Sequence, residues 1–165
     1  MRNLICAAAM LWGGSALAGM EPVEVGDVRH SKAQLTVSAS EGEKSYSPAE
    51  LEQLGTWRIT TITPWREAPA EFVGTRLVDI LEQNGLADAP AIRVVAENDY
   101  AVTIRREAWI EHDLLVATRV DGRGHSRRAR GPIQFVFDMT TAPETGAEAF
   151  QSNWVWMAAR IEAAE

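Results

Sequence analysis

Residues 56–65 have the sequence TWRITTITPW, and this stretch contains both a predicted strand and the start of a predicted site. Residues 56–63 are rich in β-branched and aromatic side chains, which favour a pleated, half-buried strand. Pro64 has no N–H to donate to a neighbouring strand, so we expect the strand to end there. Trp65 then lies at a strand end, where its ring either fills the core or forms one wall of a ligand pocket.

Short strand patterns make up most of the chain on both sides of this stretch. Further strands are predicted at residues 34–39, 91–97, 100–105, 114–120, 133–137 and 153–161. In the last of these, Trp154, Trp156 and Ala158 would share one face by period-two alternation. The pair Asn98-Asp99 predicts a tight turn, and residues 138–151 predict a long loop.

Two helices are predicted between the early strands, and residues 106–113 predict one further helical turn. Ser47, Pro48 and Glu50 have the pattern of an N-cap, a first-turn proline and a capping box. A second helix is predicted from a Thr75 cap to Gly85, with apolar residues at helical spacing. Many short strands with few helices predict an α+β fold, mainly a mixed β-sheet with two or three short helices.

The first eighteen residues are typical of a secretory signal peptide. Arg2 supplies a positive start, residues 4–17 are apolar or small, and Ala16-Leu17-Ala18 matches a cleavage site. Cys6, the only cysteine, would leave with this segment. The mature chain would then have no disulfide, no thiolate metal ligand and no cysteine nucleophile.

Length and charge limit what the rest of the chain can be. A chain of 165 residues with 46% hydrophobic content suffices for one domain with a core. We therefore expect a signal peptide at 1–18, a flexible leader at 19–32 and a single domain at 33–165. The formal net charge of −7 argues against nucleic acid or anionic lipid as the main partner, and we expect no membrane insertion after cleavage.

The common catalytic and metal-binding motifs are absent from the sequence. His30, His112 and His125 are far apart and none has a metal-ligand spacing. There is no G-x-S-x-G elbow and no glycine-rich phosphate loop. Asp and Glu are plentiful, so acid–base catalysis by two carboxylates stays open, but nothing singles out a pair. We therefore assign no catalytic residue and no metal site.

One local excess of positive charge lies between two predicted strands. It comprises Arg123, His125, Arg127, Arg128 and Arg130. Such a loop either holds a phosphate, a carboxylate or an acidic partner, or is a solvated surface loop. Arg130 precedes the Gly131-Pro132 turn, which fixes its direction, so we expect it to point inward.

Aromatic residues at strand ends are the remaining signal of a site. Trp65, Phe72 and Tyr100 are predicted at strand ends or loops, where ligand-binding residues concentrate, although each could also be core. With Asp99 or Asp79 nearby, such a group could stack a flat heterocycle. The carboxylate would then accept hydrogen bonds from the amino-amide edge of that ring.

Several segments taken in order resemble a known family. They are Ser47-Pro48-Ala49-Glu50-Leu51, Thr61-Ile62-Thr63-Pro64-Trp65, Phe72-Val73-Gly74, Asp79-Ile80-Leu81, Asn98-Asp99-Tyr100-Ala101-Val102, Asp121-Gly122, Arg130-Gly131-Pro132 and Trp154-Val155-Trp156. From Tyr46 to Glu162 the chain is similar to the sulfite-oxidase-type molybdopterin-binding fold, in its short secreted form. The family's enzymes hold molybdenum through a cysteine thiolate, which this mature chain lacks, so the resemblance implies no molybdenum here.

The cysteine-free members that the chain resembles are periplasmic pterin-binding regulators of the PruR type. The resemblance implies a reduced pterin as ligand and, as partner, the periplasmic domain of a membrane-bound diguanylate cyclase or phosphodiesterase. The residues it implies for the ligand are Thr63, Trp65, Phe72, Asp79, Asn98, Asp99, Tyr100 and Arg130. Two alternatives stay open: a molybdopterin-dependent oxidoreductase anchored by another ligand, and a ligand-free interaction domain whose aromatic residues are all core.

Overall fold

A computed structural model describes residues 19–112, 114–137 and 153–165. The strands are β1 (Glu21–Pro22), β2 (Leu35–Ala39), β3 (Gly42–Tyr46), β4 (Trp57–Thr61), β5 (Ala70–Arg76), β6 (Ala91–Ala96), β7 (Ala101–Arg105), β8 (Leu114–Val120), β9 (Arg123–Gly124), β10 (Gln134–Phe137) and β11 (Ala158–Ala164). The helices are α1 (Pro48–Glu52), α2 (Leu77–Gln83) and α3 (Arg106–Ile110), with a 3₁₀ turn at Arg127–Ala129. This confirms an α+β fold that is mainly β. The predicted signal peptide and the whole of the predicted 138–151 loop lie outside the described ranges.

The strands form two sheets that share one hydrophobic core. The first sheet is antiparallel in the order β1-β4-β5-β8-β10, with β9 paired to β8. The second has the order β3-β2-β11-β6-β7, in which only the β11–β2 pair is parallel. Leu35 and Ile161 from the second sheet belong to the same buried cluster as Phe72 and Leu115 from the first, so burial of both sheets stabilises one unit.

Gly74 allows close packing between two central strands of the first sheet. It lies in β5 where the pairing with β8 shifts register between Val73 and Gly74. A Cβ at this position would overlap the carbonyl oxygen of Val116. Only glycine therefore permits this backbone approach.

The first helix begins as its sequence predicts, but the second does not. Ser47 accepts a hydrogen bond from the Glu50 backbone N–H at 3.3 Å and donates its own backbone N–H to the Glu50 carboxylate at 2.7 Å. The predicted Thr75 cap is wrong, because Thr75 lies in β5 and its hydroxyl donates to the Leu51 carbonyl at 2.6 Å. Arg76 is the N-cap of α2 instead, without a side-chain capping bond.

Two strand predictions are corrected at their ends. The strand predicted at 56–63 ends at Thr61, so Thr63 belongs to the loop that follows. The last strand starts at Ala158 rather than residue 153. Met157 has φ 51, a left-handed conformation that breaks the expected alternation, so the tryptophans at 154 and 156 precede the strand.

Residues 19–32, expected to be a flexible leader, pack along the domain. The β1 strand pairs with β4, and Gly26 accepts a hydrogen bond from Arg119 at 2.7 Å. Arg119 also donates to the Glu52 carboxylate at 2.7 and 2.9 Å, and both side chains are more than nine-tenths buried. His30 lies 3.2 Å from the same carboxylate. This buried network fixes the segment to α1 and β8.

None of the helices in the described ranges has the length and hydropathy needed to cross a membrane.

Candidate functional site

A cavity of about 570 Å³ opens beside the loop that follows β4. Its walls come from that loop, β5, the β6–β7 turn, the 3₁₀ turn with Arg130, β10 and the residues that precede β11. The lining residues are Thr63, Trp65, Arg66, Phe72, Asn98, Arg127, Arg128, Ala129, Arg130, Gln134, Trp156 and Met157. Residues 153–157 pair beside β10 of the first sheet and then continue into β11 of the second sheet. The cavity therefore lies where the two sheets meet.

Two tryptophans and one arginine form a stacked cluster on the cavity wall. The Trp65 and Trp156 ring centroids are 4.6 Å apart. The Arg130 guanidinium carbon lies 4.6 Å from the Trp65 centroid and 4.3 Å from the Trp156 centroid, within cation–π range of both. Trp154 is buried and meets Trp65 edge to face at 6.1 Å. Trp65 is thus supported from behind yet remains 37% exposed.

The backbone around the 3₁₀ turn directs Arg130 into this cluster. Arg130 ends the turn with φ 75, a left-handed conformation that is unusual for a residue with a side chain. Its carbonyl accepts a hydrogen bond from Met157 at 3.3 Å. The expectation that Arg130 points inward is confirmed.

Buried polar and aromatic side chains form the inner wall of the cavity. Thr63, Phe72 and Gln134 line it, although each is at most 3% exposed. The Gln134 Oε1 atom lies 2.8 Å from the Nε2 atom of His125, which is itself buried. Burial lowers the pKa of His125, because a charged imidazole there would lose its hydration, so the ring is neutral at pH 7.

The lining is strongly basic even though the protein is acidic. Arg66 pairs with Asp121 at 3.2 Å, and Arg127 pairs with Glu97. Arg128 and Arg130 have no carboxylate partner in the part of the chain that the structure describes. No carboxylate lines the cavity within those ranges. The site therefore offers hydrogen-bond donors and positive charge to a ligand.

Five of the eight predicted ligand residues are brought together in the cavity. They are Thr63, Trp65, Phe72, Asn98 and Arg130. Asp79 is elsewhere: it lies on α2 and pairs with Arg76 at 2.5 and 2.9 Å. Asp99, in the β6–β7 turn with φ 64, and the 45% exposed Tyr100 also lie outside the lining.

Several lining residues were missed by sequence reasoning. Arg127 and Arg128 belong to the basic loop, which did indicate an anion or acidic partner as one interpretation. Trp156 was assigned to a strand face, and Gln134 to a buried strand. An uncharged polar residue in the apolar run 133–137 was the signal for Gln134, since a buried amide requires hydrogen-bond partners.

Comparison with solved structures identifies the fold. The sulfane dehydrogenase SoxCD from Paracoccus pantotrophus matches with a TM-score of 0.61 at 12% identity, over 83% of this chain and 39% of that chain. This chain has a sulfite-oxidase-like fold. At such low identity the similarity concerns the fold alone, and the chain spans well under half of SoxCD. No family model and no curated protein matches the sequence.

The fold raises the question of whether a molybdenum cofactor fits the residues at this site. Residues 19–165 contain no cysteine, so this part of the chain has no thiolate to give the metal. Within the described ranges, His, Asp and Glu side chains form no group of three that could hold a metal ion. The donor set therefore does not fit a thiolate-anchored metal. It fits a flat organic ring that carries acceptors or negative charge.

Proposed function

We propose that the mature protein is an exported, non-catalytic pterin-binding protein of the periplasm. The observation that carries this proposal is the cluster of Trp65, Arg130 and Trp156 on the wall of a cavity of about 570 Å³. A cavity of that volume accommodates one bicyclic ring with a short side chain. The ring would stack on the indole of Trp65, where aromatic contact adds to the burial of apolar surface.

The charges of the lining set how a pterin would be oriented. Because donors predominate, the acceptor edge of the ring, with its 4-oxo group, faces the inner wall. Arg130 contacts the 4-oxo group or the side chain, while Thr63 and Asn98 make polar contacts. This arrangement replaces the earlier expectation that a carboxylate of Asp79 or Asp99 receives the amino edge.

The proposed partner is the periplasmic domain of a membrane-bound diguanylate cyclase or phosphodiesterase. Ile62 and Tyr100 are exposed at 49% and 45% and lie within two residues of the lining residues Thr63 and Asn98. Ligand binding at the cavity would thus alter the loops that carry these apolar side chains. Signalling further requires that the partner bind the liganded and free forms with different affinity.

Titration with a reduced pterin tests the binding step. The account predicts that tryptophan fluorescence is quenched in a saturable manner, and that Trp65→Ala weakens binding by about tenfold or more, since stacking contributes roughly 1–3 kcal/mol per ring. Asp99→Asn is the matched control, because Asp99 lies outside the lining. Absence of quenching in the parent protein would support the ligand-free interaction domain instead.

A molybdopterin-dependent oxidoreductase is the second candidate, and the sulfite-oxidase-like fold is the observation that favours it. Metal analysis of protein purified from the native periplasm separates the two functions. Stoichiometric molybdenum would favour the oxidoreductase. The binding proposal predicts a pterin without molybdenum.

A further inference from the structure

The Gln134 side-chain amide has its oxygen hydrogen-bonded and its nitrogen available to the cavity. Gln134 is 2% exposed and lines the cavity. Its Oε1 atom is occupied by the hydrogen bond to His125 at 2.8 Å. Among the described residues no hydrogen bond joins the amide nitrogen to a partner, and Gln134 is one of the residues that line the cavity. It is therefore a buried donor that opens on the cavity.

His125 determines which way this amide points. The imidazole is neutral, so one ring nitrogen donates and the other accepts. Its Nδ1 atom is enclosed and unpartnered. An unprotonated Nδ1 atom costs less free energy there than a buried N–H without an acceptor. The Nε2 atom therefore holds the proton and donates to Gln134 Oε1.

Contacts around His125 favour the orientation of the imidazole that makes this bond. The His125 backbone N–H donates to the Thr118 carbonyl at 2.8 Å. A Cβ at Gly131 would lie 2.5 Å from the His125 Cγ atom, so the chain packs directly on the ring. The Phe72 ring meets the imidazole edge to face at 6.2 Å. The backbone bond positions the His125 main chain, while Gly131 and Phe72 pack against the ring and orient the imidazole, and through it the Gln134 amide.

We propose that Gln134, oriented by His125, makes the cavity select a ring that carries a carbonyl over one that carries an amino group at the same position. This inference rests on the proposed pterin binding and assigns its specificity. A fixed N–H donates to a carbonyl oxygen but opposes an amino group, because two donors would then face each other. Gln134 is the specificity residue, and His125 is the positioning residue behind it.

Two probes that differ in one group test this directly: a dihydropterin and its diamino counterpart, in which an amino group replaces the ring carbonyl. Both are titrated against the full mature protein by tryptophan fluorescence. The parent is expected to favour the dihydropterin by about tenfold, the value of one hydrogen bond gained or opposed. Gln134→Glu puts an acceptor in place of the donor and should reverse the preference.

The role of His125 is tested by the preference ratio rather than by affinity alone. His125→Phe keeps a planar ring but frees the amide to turn, so the ratio should fall toward one while both probes still bind. Gln134→Met, which removes the donor and leaves His125 in place, should also abolish the preference and keeps the test valid if His125→Phe does not fold. Equal binding of both probes by the parent would overturn the specificity inference alone. Failure of the parent to bind either probe would overturn the pterin proposal with it.

Discussion

Replacement of Arg130 by alanine and by glycine should have different effects on stability. The guanidinium contacts two indoles at 4.6 and 4.3 Å. At about 0.5–1 kcal/mol for each such contact, loss of the side chain destabilises by about 1–2 kcal/mol. The residue also has φ 75, a left-handed conformation that costs a non-glycine residue about 1 kcal/mol or more. Both variants lose the contacts with the indoles. Alanine retains the cost of the left-handed backbone, whereas glycine is relieved of it.

We therefore expect Arg130→Ala to lower the free energy of unfolding by about 1–2 kcal/mol. Arg130→Gly should recover about 1 kcal/mol of that loss despite the larger entropy of its unfolded chain. Urea unfolding followed by tryptophan fluorescence measures both variants against the parent. If alanine is as stable as the parent, the stacking argument fails. If the alanine and glycine variants are equally destabilised, the left-handed backbone conformation does not cost a non-glycine residue stability at this position.

Three further predictions concern the core and its charges. Glu52→Gln should lower the free energy of unfolding by about 3 kcal/mol in urea at pH 7, because it leaves the buried Arg119 guanidinium without a carboxylate. Burial raises the pKa of Glu52, but hydrogen bonds to the carboxylate outweigh this and lower the pKa. The stability that the Glu52 carboxylate contributes should therefore be lost only in acid, below about pH 4. Burial lowers the pKa of His125, so as the pH falls the unfolded state binds a proton at this residue before the folded state does. The parent should therefore lose stability below about pH 6.5. His125→Phe should remove this contribution to the pH dependence of the unfolding free energy. Gly74→Ala should destabilise by about 2–3 kcal/mol through backbone overlap, whereas Gly26→Ala, where a Cβ meets nothing within 4 Å, should unfold like the parent.

Features set by neighbouring residues were predictable from the sequence. The capping box at Ser47 and Glu50 involves two residues three apart, and the structure contains both of its hydrogen bonds. The strands at 91–96 and 101–105 follow from local pattern and from the turn between them. Such elements depend on propensity and periodicity, which are visible along the chain.

Features set by distant contacts were not predictable. Thr75 has a typical N-cap side chain, yet it pairs as a strand residue because β5 must reach the partner strands β4 and β8. Met157 interrupts the alternation and brings Trp156 into the cavity beside Trp65. In both cases a contact between residues distant in sequence overrides the local pattern.

Pterin binding can be tested by mass spectrometry of the small molecules that the protein retains after gentle purification from its native periplasm. We expect one pterin per protein chain, and we expect the Trp65→Ala variant to lose both this pterin and the quenching of tryptophan fluorescence. Recovery of the parent protein with no pterin, or with another class of compound in the cavity, would contradict it.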